Sequence, residues 1–343
     1  MRGILVILLI GILLMGCTTP PENGANGTKS NVTNATNNTN QTGPPVQIII
    51  GQQKNQTTEQ NLTQPTPNVT ENVSGPTYRN DPNQSLGIYF IDVSDIGLHG
   101  DAILIKKGDL DVLVDAGPVE KAGKVVDLLR SKGVDDVDLL ISTNADPRHY
   151  GGIGTVADNF KVESFWWTGD DFDDATYKAL AARMKGVEIV QDGSSMELNG
   201  INFTVLNPPK SDRFSDVNND AIVLRVTDRN FSILLTSGIQ TGAQGLLINQ
   251  KKEQIKTDLM QAPYYGVGAG TSSIGLMLVN AHPNAIIISG SSDESATNGG
   301  SREPFERLMT QYGIKWYENY VNGTIKVTSD GQGYAIESLG KGQ

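Results

Sequence analysis

Residues 87–118 read GIYFIDVSDIGLHGDAILIKKGDLDVLVDAGP, and the fold is decided on this stretch. Three short apolar runs, Gly87 to Val93, Ala102 to Lys106 and Asp111 to Asp115, are separated by Gly- and Asp-containing turns. That spacing predicts three successive strands. Val119 to Lys132 follows with apolar residues at 119, 122, 125, 126, 128 and 129, a helical repeat stopped by Gly133. Val137 to Ser142 is the next expected strand. Strands and helices then alternate, with a second run of three strands at Ile201 to Leu206, Ala221 to Thr227 and Phe231 to Thr236. Two halves of this kind predict two mixed sheets packed face to face with helices outside.

The chain changes character upstream of Leu86. Residues 1–17 combine Arg2, an apolar run from Ile4 to Met15, and Leu14-Met15-Gly16-Cys17. The run is short for a membrane span and suits a secretory leader, and its end reads as a lipobox with Cys17 as the lipidated residue. Residues 18–85 are rich in Asn, Thr, Gln and Pro and dense in Asn-X-Ser/Thr sequons. Such a tract cannot bury enough apolar surface to order itself, so it is expected to form a disordered stalk, glycosylated where the host modifies surface proteins, the alternative being that an Asn/Thr-rich composition makes sequons by chance. The folded domain is expected at 86–343, on the extracellular face of the membrane and tethered to it through the lipid anchor.

Net charge is −11. Segment 1–85 holds four residues of each sign, so the domain carries the whole excess. An acidic domain is a poor default partner for nucleic acid. The single cysteine, Cys17, leaves the domain without a disulfide or a thiolate ligand.

The strings FIDVSDIGLHGDAILI…LVDAGP, LRSKGVDDVDLLIST (129–143), VLNPPKSDRFSDVNNDAIVLRV (205–226), NFSILLTSGI (230–239) and NGTIKVTSDGQGYAI (322–336), taken in this order, resemble the extracellular metallo-β-lactamase-like domain of ComEC-type competence proteins. The resemblance covers nearly all of 87–336 and implies an αββα sandwich of two mixed sheets, an α/β (α+β) fold. It also implies a two-metal hydrolytic edge with the signature Thr-His-X-(His/Asp)-X-Asp-His-X-Gly-Gly. Here that segment reads Thr143-Asn144-Ala145-Asp146-Pro147-Arg148-His149-Tyr150-Gly151-Gly152. Asn144 replaces the first histidine and Arg148 the aspartate. Gly238 stands where the family has its metal-bridging aspartate. Pro263-Tyr264-Tyr265-Gly266 stands for Gly-His-His-Gly, with Tyr264 assigned to the ligand slot. The last histidine falls near Gly300-Ser301-Arg302-Glu303.

A dinuclear zinc site needs neutral imidazoles and carboxylates at about 2.0–2.2 Å and an open position. Of the three histidines, His99, His149 and His282, only His149 is in register. Arg148 keeps its proton and would repel a divalent cation. No metal or other cofactor is therefore expected, the alternative being a single zinc or manganese at Asp146 and His149. If the domain were active, Asp146 and His149 would be the candidate acid–base pair; the structural reading makes both loop-ordering hydrogen bonders. Asp115 reads as a structural loop carboxylate, and Trp166 and Trp167 as core rather than a ligand platform. Ser272 and Ser273, in a Gly-rich loop, lack a histidine partner.

The sequence thus favours a surface-anchored pseudoenzyme. Asn144, Asp146, Arg148, His149, Gly238 and Tyr264 are expected to meet at one edge, with a small anionic ligand or a protein as partner. Arg148 either pairs with Asp146 or Asp115 or stays free for an anion. A metal-dependent phosphodiesterase- or nuclease-like hydrolase with an altered site is the alternative.

Overall fold

A computed structural model describes residues 78–95, 97–267, 271–290 and 302–341. Cys17, the leader and the tract to residue 77 lie outside the described residues.

The first sheet comprises β1 (Leu86–Phe90), β2 (Ile103–Lys107), β3 (Leu110–Val114), β4 (Val137–Ile141), β5 (Val162–Trp167), β6 (Val187–Ile189), β14 (Ile325–Ser329) and β15 (Tyr334–Ser338). Its order is β15-β14-β1-β2-β3-β4-β5-β6. The second comprises β7 (Ser195–Leu198), β8 (Ile201–Asn207), β9 (Val223–Asp228), β10 (Phe231–Leu235), β11 (Leu259–Gln261), β12 (Ala285–Ile288) and β13 (Lys315–Glu318), in the order β13-β12-β11-β10-β9-β8-β7. Each half runs as antiparallel hairpins, β1 to β3 and β7 to β10, then turns parallel at β4 to β6 and β11 to β13. The parallel connections need crossovers, and helices supply most of them.

Strand alternation sorts the side chains into layers. Ile103, Ile105, Val112, Val114, Leu139, Ile141 and Trp166 point between the sheets, where they meet Phe203, Leu224, Ile233 and Ile287 of the second sheet. Leu104, Leu113, Leu140 and Phe165 point outward under α1 (Ala122–Ser131), α3 (Ile153–Asn159) and α4 (Ala175–Arg183). On the other outer face, Leu234, Met260 and Ile286 pack under α5 (Thr241–Gln250), α6 (Thr271–Ala281) and α7 (Glu303–Tyr312). The result is the αββα sandwich of the metallo-β-lactamase fold. Trp166 is buried between the sheets, and Trp167 packs edge-on against Tyr177, 5.7 Å between centroids, so both tryptophans are packing residues.

Three details differ from the sequence reading. Tyr78 to Ser85, assigned there to the stalk, lie against the domain: Tyr78 packs on the intersheet core, and the Asp81 amide donates to Asn199 Oδ1 at 2.7 Å. The segment with Ser272 and Ser273, read as a loop, opens α6 at Thr271, and Ser273 Oγ donates to Gln244 Oε1 at 2.9 Å. The four-residue strands β7 and β13 were not legible as strands.

Candidate functional site

The site sits where parallel strands of both sheets end. Asp115 follows β3, Thr143 to Asp146 follow β4, Ser237 and Gly238 follow β10, and Tyr264 and Tyr265 follow β11. Asp115, Ser237, Tyr264 and Tyr265 all adopt positive φ, at 57°, 50°, 45° and 58°. L-residues pay for that conformation, and such strain gathers at functional edges.

Asp146 and Pro147 start α2 (Pro147–Tyr150): Asp146 Oδ1 accepts from the Arg148 amide at 2.9 Å as an N-cap, and Pro147 occupies the first turn, where no amide donor is required. The following glycines are demanded by close approach. A Cβ on Gly152 would lie 2.2 Å from the Ala116 carbonyl, and one on Gly100 would lie 2.1 Å from the Arg148 carbonyl. The Ala116 amide donates to the His149 carbonyl at 2.9 Å, which clamps α2 onto the loop after β3.

His149 is fully buried at the centre. Its Nδ1 is 2.9 Å from Asp115 Oδ2 and 3.5 Å from Asp101 Oδ2, and its Nε2 is 2.8 Å from the Tyr265 hydroxyl. Asp115 also takes the Thr143 amide at 2.8 Å and the Thr143 hydroxyl at 2.6 Å. Thr143 Oγ1 and Ser237 Oγ are 2.7 Å apart, which ties the loop after β4 to the loop after β10. Burial alone would lower the imidazole, but the charge and hydrogen bond of Asp115, with Asp101 and Asp146 behind, lift it to about 8. Burial pushes the Asp101 carboxyl up to about 6, against the opposing pull of His149, Ser289 and Gln261.

Arg148 binds Asp146 in fork geometry, Nε to Oδ1 at 3.0 Å and Nη2 to Oδ2 at 2.5 Å. Burial would raise the Asp146 carboxyl, but these bonds and the charges of His149 and Arg148 bring it down to about 2. The guanidinium lies over the rings of Tyr264 and Tyr265, 5.9 and 5.7 Å from their centroids. Its Nη1 is 2.9 Å from His99 Nε2. An arginine can only donate, so Nε2 of His99 is the acceptor and its proton sits on Nδ1. Burial and the Arg148 charge push His99 down to about 4, so it is neutral at pH 7.

Of the six residues expected to meet, Asp146, Arg148 and Tyr264 form one cluster. Asn144 joins it by accepting the Asp146 amide at 3.1 Å, and Asn144 Nδ2 would lie 3.2 Å from a Cβ on Gly238. His149 joins through Tyr265 rather than Tyr264. Arg148 pairs with Asp146 and not with Asp115. Tyr265, His99 and Asp101 were missed. Tyr265 was one position from the aligned ligand slot. His99 and Asp101 flank Gly100, whose close approach to Arg148 no sequence spacing reveals. Arg302 reaches the same edge, donating to the Tyr265 carbonyl at 3.2 Å and to Glu318 Oε2 at 2.7 Å.

The residues present do not fit a two-metal group of the family type. Asn144 Oδ1 and Asp146 already accept, Gly238 has no side chain, and a guanidinium lies against Asp146. Asp146 and His149, the pair considered for a single metal, are engaged by different partners. Among the described residues, Asp101, Asp115 and His149 are the group whose ligand atoms lie within 4.8 Å of one another. At neutral pH the His149–Asp115 contact is satisfied by a proton on Nδ1.

Fold and edge together define a metallo-β-lactamase-fold domain that carries Asn144, Arg148, Gly238 and Tyr264 at the positions the sequence resemblance assigns to metal ligands. In sequence the chain is similar to ComE operon protein 3 of Bacillus subtilis, 24% identical over 263 residues, which cover 69% of this chain and 32% of that protein. It is also similar to the uncharacterized protein YcaI of Escherichia coli, 26% identical over 147 residues, 43% of this chain and 19% of that one. The chain thus spans about a third and a fifth of the lengths of these two relatives. Among solved structures, the metallo-β-lactamase fold protein YhfI of Bacillus subtilis aligns over 70% of this chain and 99% of its own, with a TM-score of 0.48 and 11% identity. No family model matches the chain.

Proposed function

We propose that this protein is held to the outer face of the membrane by a lipid on Cys17, and that its metallo-β-lactamase-fold domain binds a ligand or partner without hydrolysing it. One observation supports the second part: each surviving member of the metal motif is engaged inside the protein. Asp146 is held by Arg148, His149 Nδ1 by Asp115, and His149 Nε2 by Tyr265. A metal at His149 would have to displace the proton shared with Asp115 at Nδ1 or break the Tyr265 contact at Nε2. The pairing of Arg148 also neutralises the cation that an anionic ligand would seek.

A hydrolase is the second reading. The spacing of Asp101, Asp115 and His149 favours it, as does the hydrolytic edge that the resemblance to ComEC-type domains implies. Purified protein incubated with bis(4-nitrophenyl) phosphate, with and without added zinc or manganese, separates the two. The binding reading expects no turnover above buffer, and metal-dependent turnover lost on His149→Gln would sink it. For the anchor, Cys17→Ser is expected to release the protein from the membrane fraction. Unchanged membrane association with the leader still removed would rule out lipidation.

A further inference from the structure

The strands give the domain two ends. β3 starts after the Gly108-Asp109 turn and leads to Asp115, the partner of His149, about 17 Å away at about 3.4 Å per residue. β1 runs in the same direction, since both it and β3 are antiparallel to β2. In the second sheet β10 leads to Ser237 and Gly238, and β8 runs with it, both being antiparallel to β9. The starts of these four strands form a base, and the functional edge is the other end. Tyr78 to Ser85 are attached at the base: the Arg79 amide donates to Asp109 Oδ2 at 2.9 Å, the Asp81 amide to Asn199 Oδ1 at 2.7 Å, and a Cβ on Gly200 would lie 3.1 Å from Pro82 Cβ. The upstream chain therefore joins the domain at the end away from His149.

Among the described residues, four asparagines head Asn-X-Ser/Thr sequons: Asn83, Asn202, Asn230 and Asn322. Three of them lie at the base. Asn83 is in the turn before β1, Asn202 is second in β8, and Asn230 is in the two-residue turn from β9 to β10; all three are exposed. Asn202 alternates with Ile201 and Phe203, which are buried in the intersheet core, so it points from the outer face of the second sheet, beside Glu197 and Thr227. Asn230 Nδ2 donates to the exposed Gln332 Oε1 at 2.8 Å. An amide nitrogen has two hydrogens, so substitution of one leaves the other for Gln332. Asn322 differs in place and in engagement. It is half-buried at the functional end, and its Oδ1 accepts the amide of Glu318, the carboxylate that holds Arg302. The next residue, Gly323, is so crowded that a Cβ there would lie 2.1 Å from the Gly340 carbonyl.

We propose that Asn83, Asn202 and Asn230 carry N-linked oligosaccharides, which cover the base of the domain and leave the functional edge bare. The step is a glycosyl transfer from a lipid-phosphate-linked oligosaccharide. The bond from the anomeric carbon to the phosphate oxygen breaks, a bond from that carbon to Nδ2 forms, the lipid phosphate leaves, and one Nδ2 proton passes to a base of the host transferase. Sugar attached during export precedes folding, so the fold decides which acceptors can carry it afterwards. A bulky, hydrated substituent is accommodated at an exposed asparagine. At Asn322 it would have to displace the cap on Glu318. The inference rests on the reading that places the domain outside the membrane, and it adds modification sites on the folded domain.

The test is glycopeptide mass spectrometry on the full chain purified from the membranes of the cells that naturally make it, alongside protease treatment of those cells while intact. Sugar is expected on Asn83, Asn202 and Asn230, with Asn322 unmodified. Asn202→Gln and Asn230→Gln are each expected to lower the mass of the intact chain by one oligosaccharide. A bare asparagine among the three, on protein that intact cells expose to protease, would overturn the inference and leave the outer-face reading standing. Sugar on Asn322 would also overturn it, because the fold would then not select the acceptors. A domain that is bare and protected from protease in intact cells would defeat both readings together.

Discussion

The Tyr265 hydroxyl lies 2.8 Å from Nε2 of His149, on the opposite side of the ring from Asp115. The one histidine retained in the metal motif is therefore closed at both nitrogens by the protein's own side chains. It is flanked by two buried carboxylates, Asp101 and Asp115, and the positive charge they demand is supplied by the imidazolium itself.

A pH dependence follows. The folded pKa of His149 is raised from 6.5 to about 8. Its stabilising contribution is complete below about pH 6.5 and is lost as pH rises through about 8, a change of about 2 kcal/mol. Asp101, raised to about 6, loses stabilisation as pH rises from about 4 to 6, whereas His99, lowered to about 4, gains it over nearly the same range. These two oppose each other, but Asp111, pushed up to about 7 by burial, also loses stabilisation as pH rises to 7, so the His149 contribution is the part of the fall that depends on His149. Urea unfolding at pH 6 and pH 9 should show the fall, and His149→Gln should shrink it by the His149 share, leaving the part that Asp111 contributes. An equal fall in the variant would place the titration elsewhere.

Arg148 acts as a structural cation. Removing it leaves Asp146, whose side chain is 11% exposed, as an unpaired carboxylate. Arg148→Ala is expected to destabilise the domain by about 3 kcal/mol, and Arg148→Lys to recover only part of that because the fork is lost. A fully stable Arg148→Ala, measured by denaturant midpoint at constant m-value, would show that the pair contributes nothing.

Much of this architecture was legible because alternation at β2 to β4 and the helical repeat of α1 are written in apolar residues. β7 (Ser195–Leu198) and β13 (Lys315–Glu318) were not, since each has four residues, too few to establish a period, and only two of them apolar, Met196 and Leu198 in one and Trp316 and Tyr317 in the other. The site was legible where a motif runs in sequence, from Asn144 to Gly152. It was illegible where chain geometry decides: consecutive left-handed residues at Tyr264 and Tyr265 choose which ring reaches His149, and Asn218 approaches Gly238 from a loop with no motif of its own.

The domain boundary gives a further prediction. The Arg79 amide donates to Asp109 Oδ2 at 2.9 Å and the Asp81 amide to Asn199 Oδ1. Removal of residues 18–77 is expected to leave Tm unchanged. Trimming on to Leu86 is expected to cost about 1–2 kcal/mol through the loss of these bonds and of Tyr78 packing. Equal melting temperatures for the two truncations would show that Tyr78 to Ser85 add nothing.

The central claim is that protons and an arginine hold the charges that metals hold in a working edge of this fold. Elemental analysis of protein purified without chelator at pH 7, paired with melting curves before and after EDTA, tests it most directly. The account predicts substoichiometric zinc, manganese and iron, and an unchanged Tm. A full equivalent of tightly bound metal, lost on His149→Gln and needed for the native Tm, would contradict it.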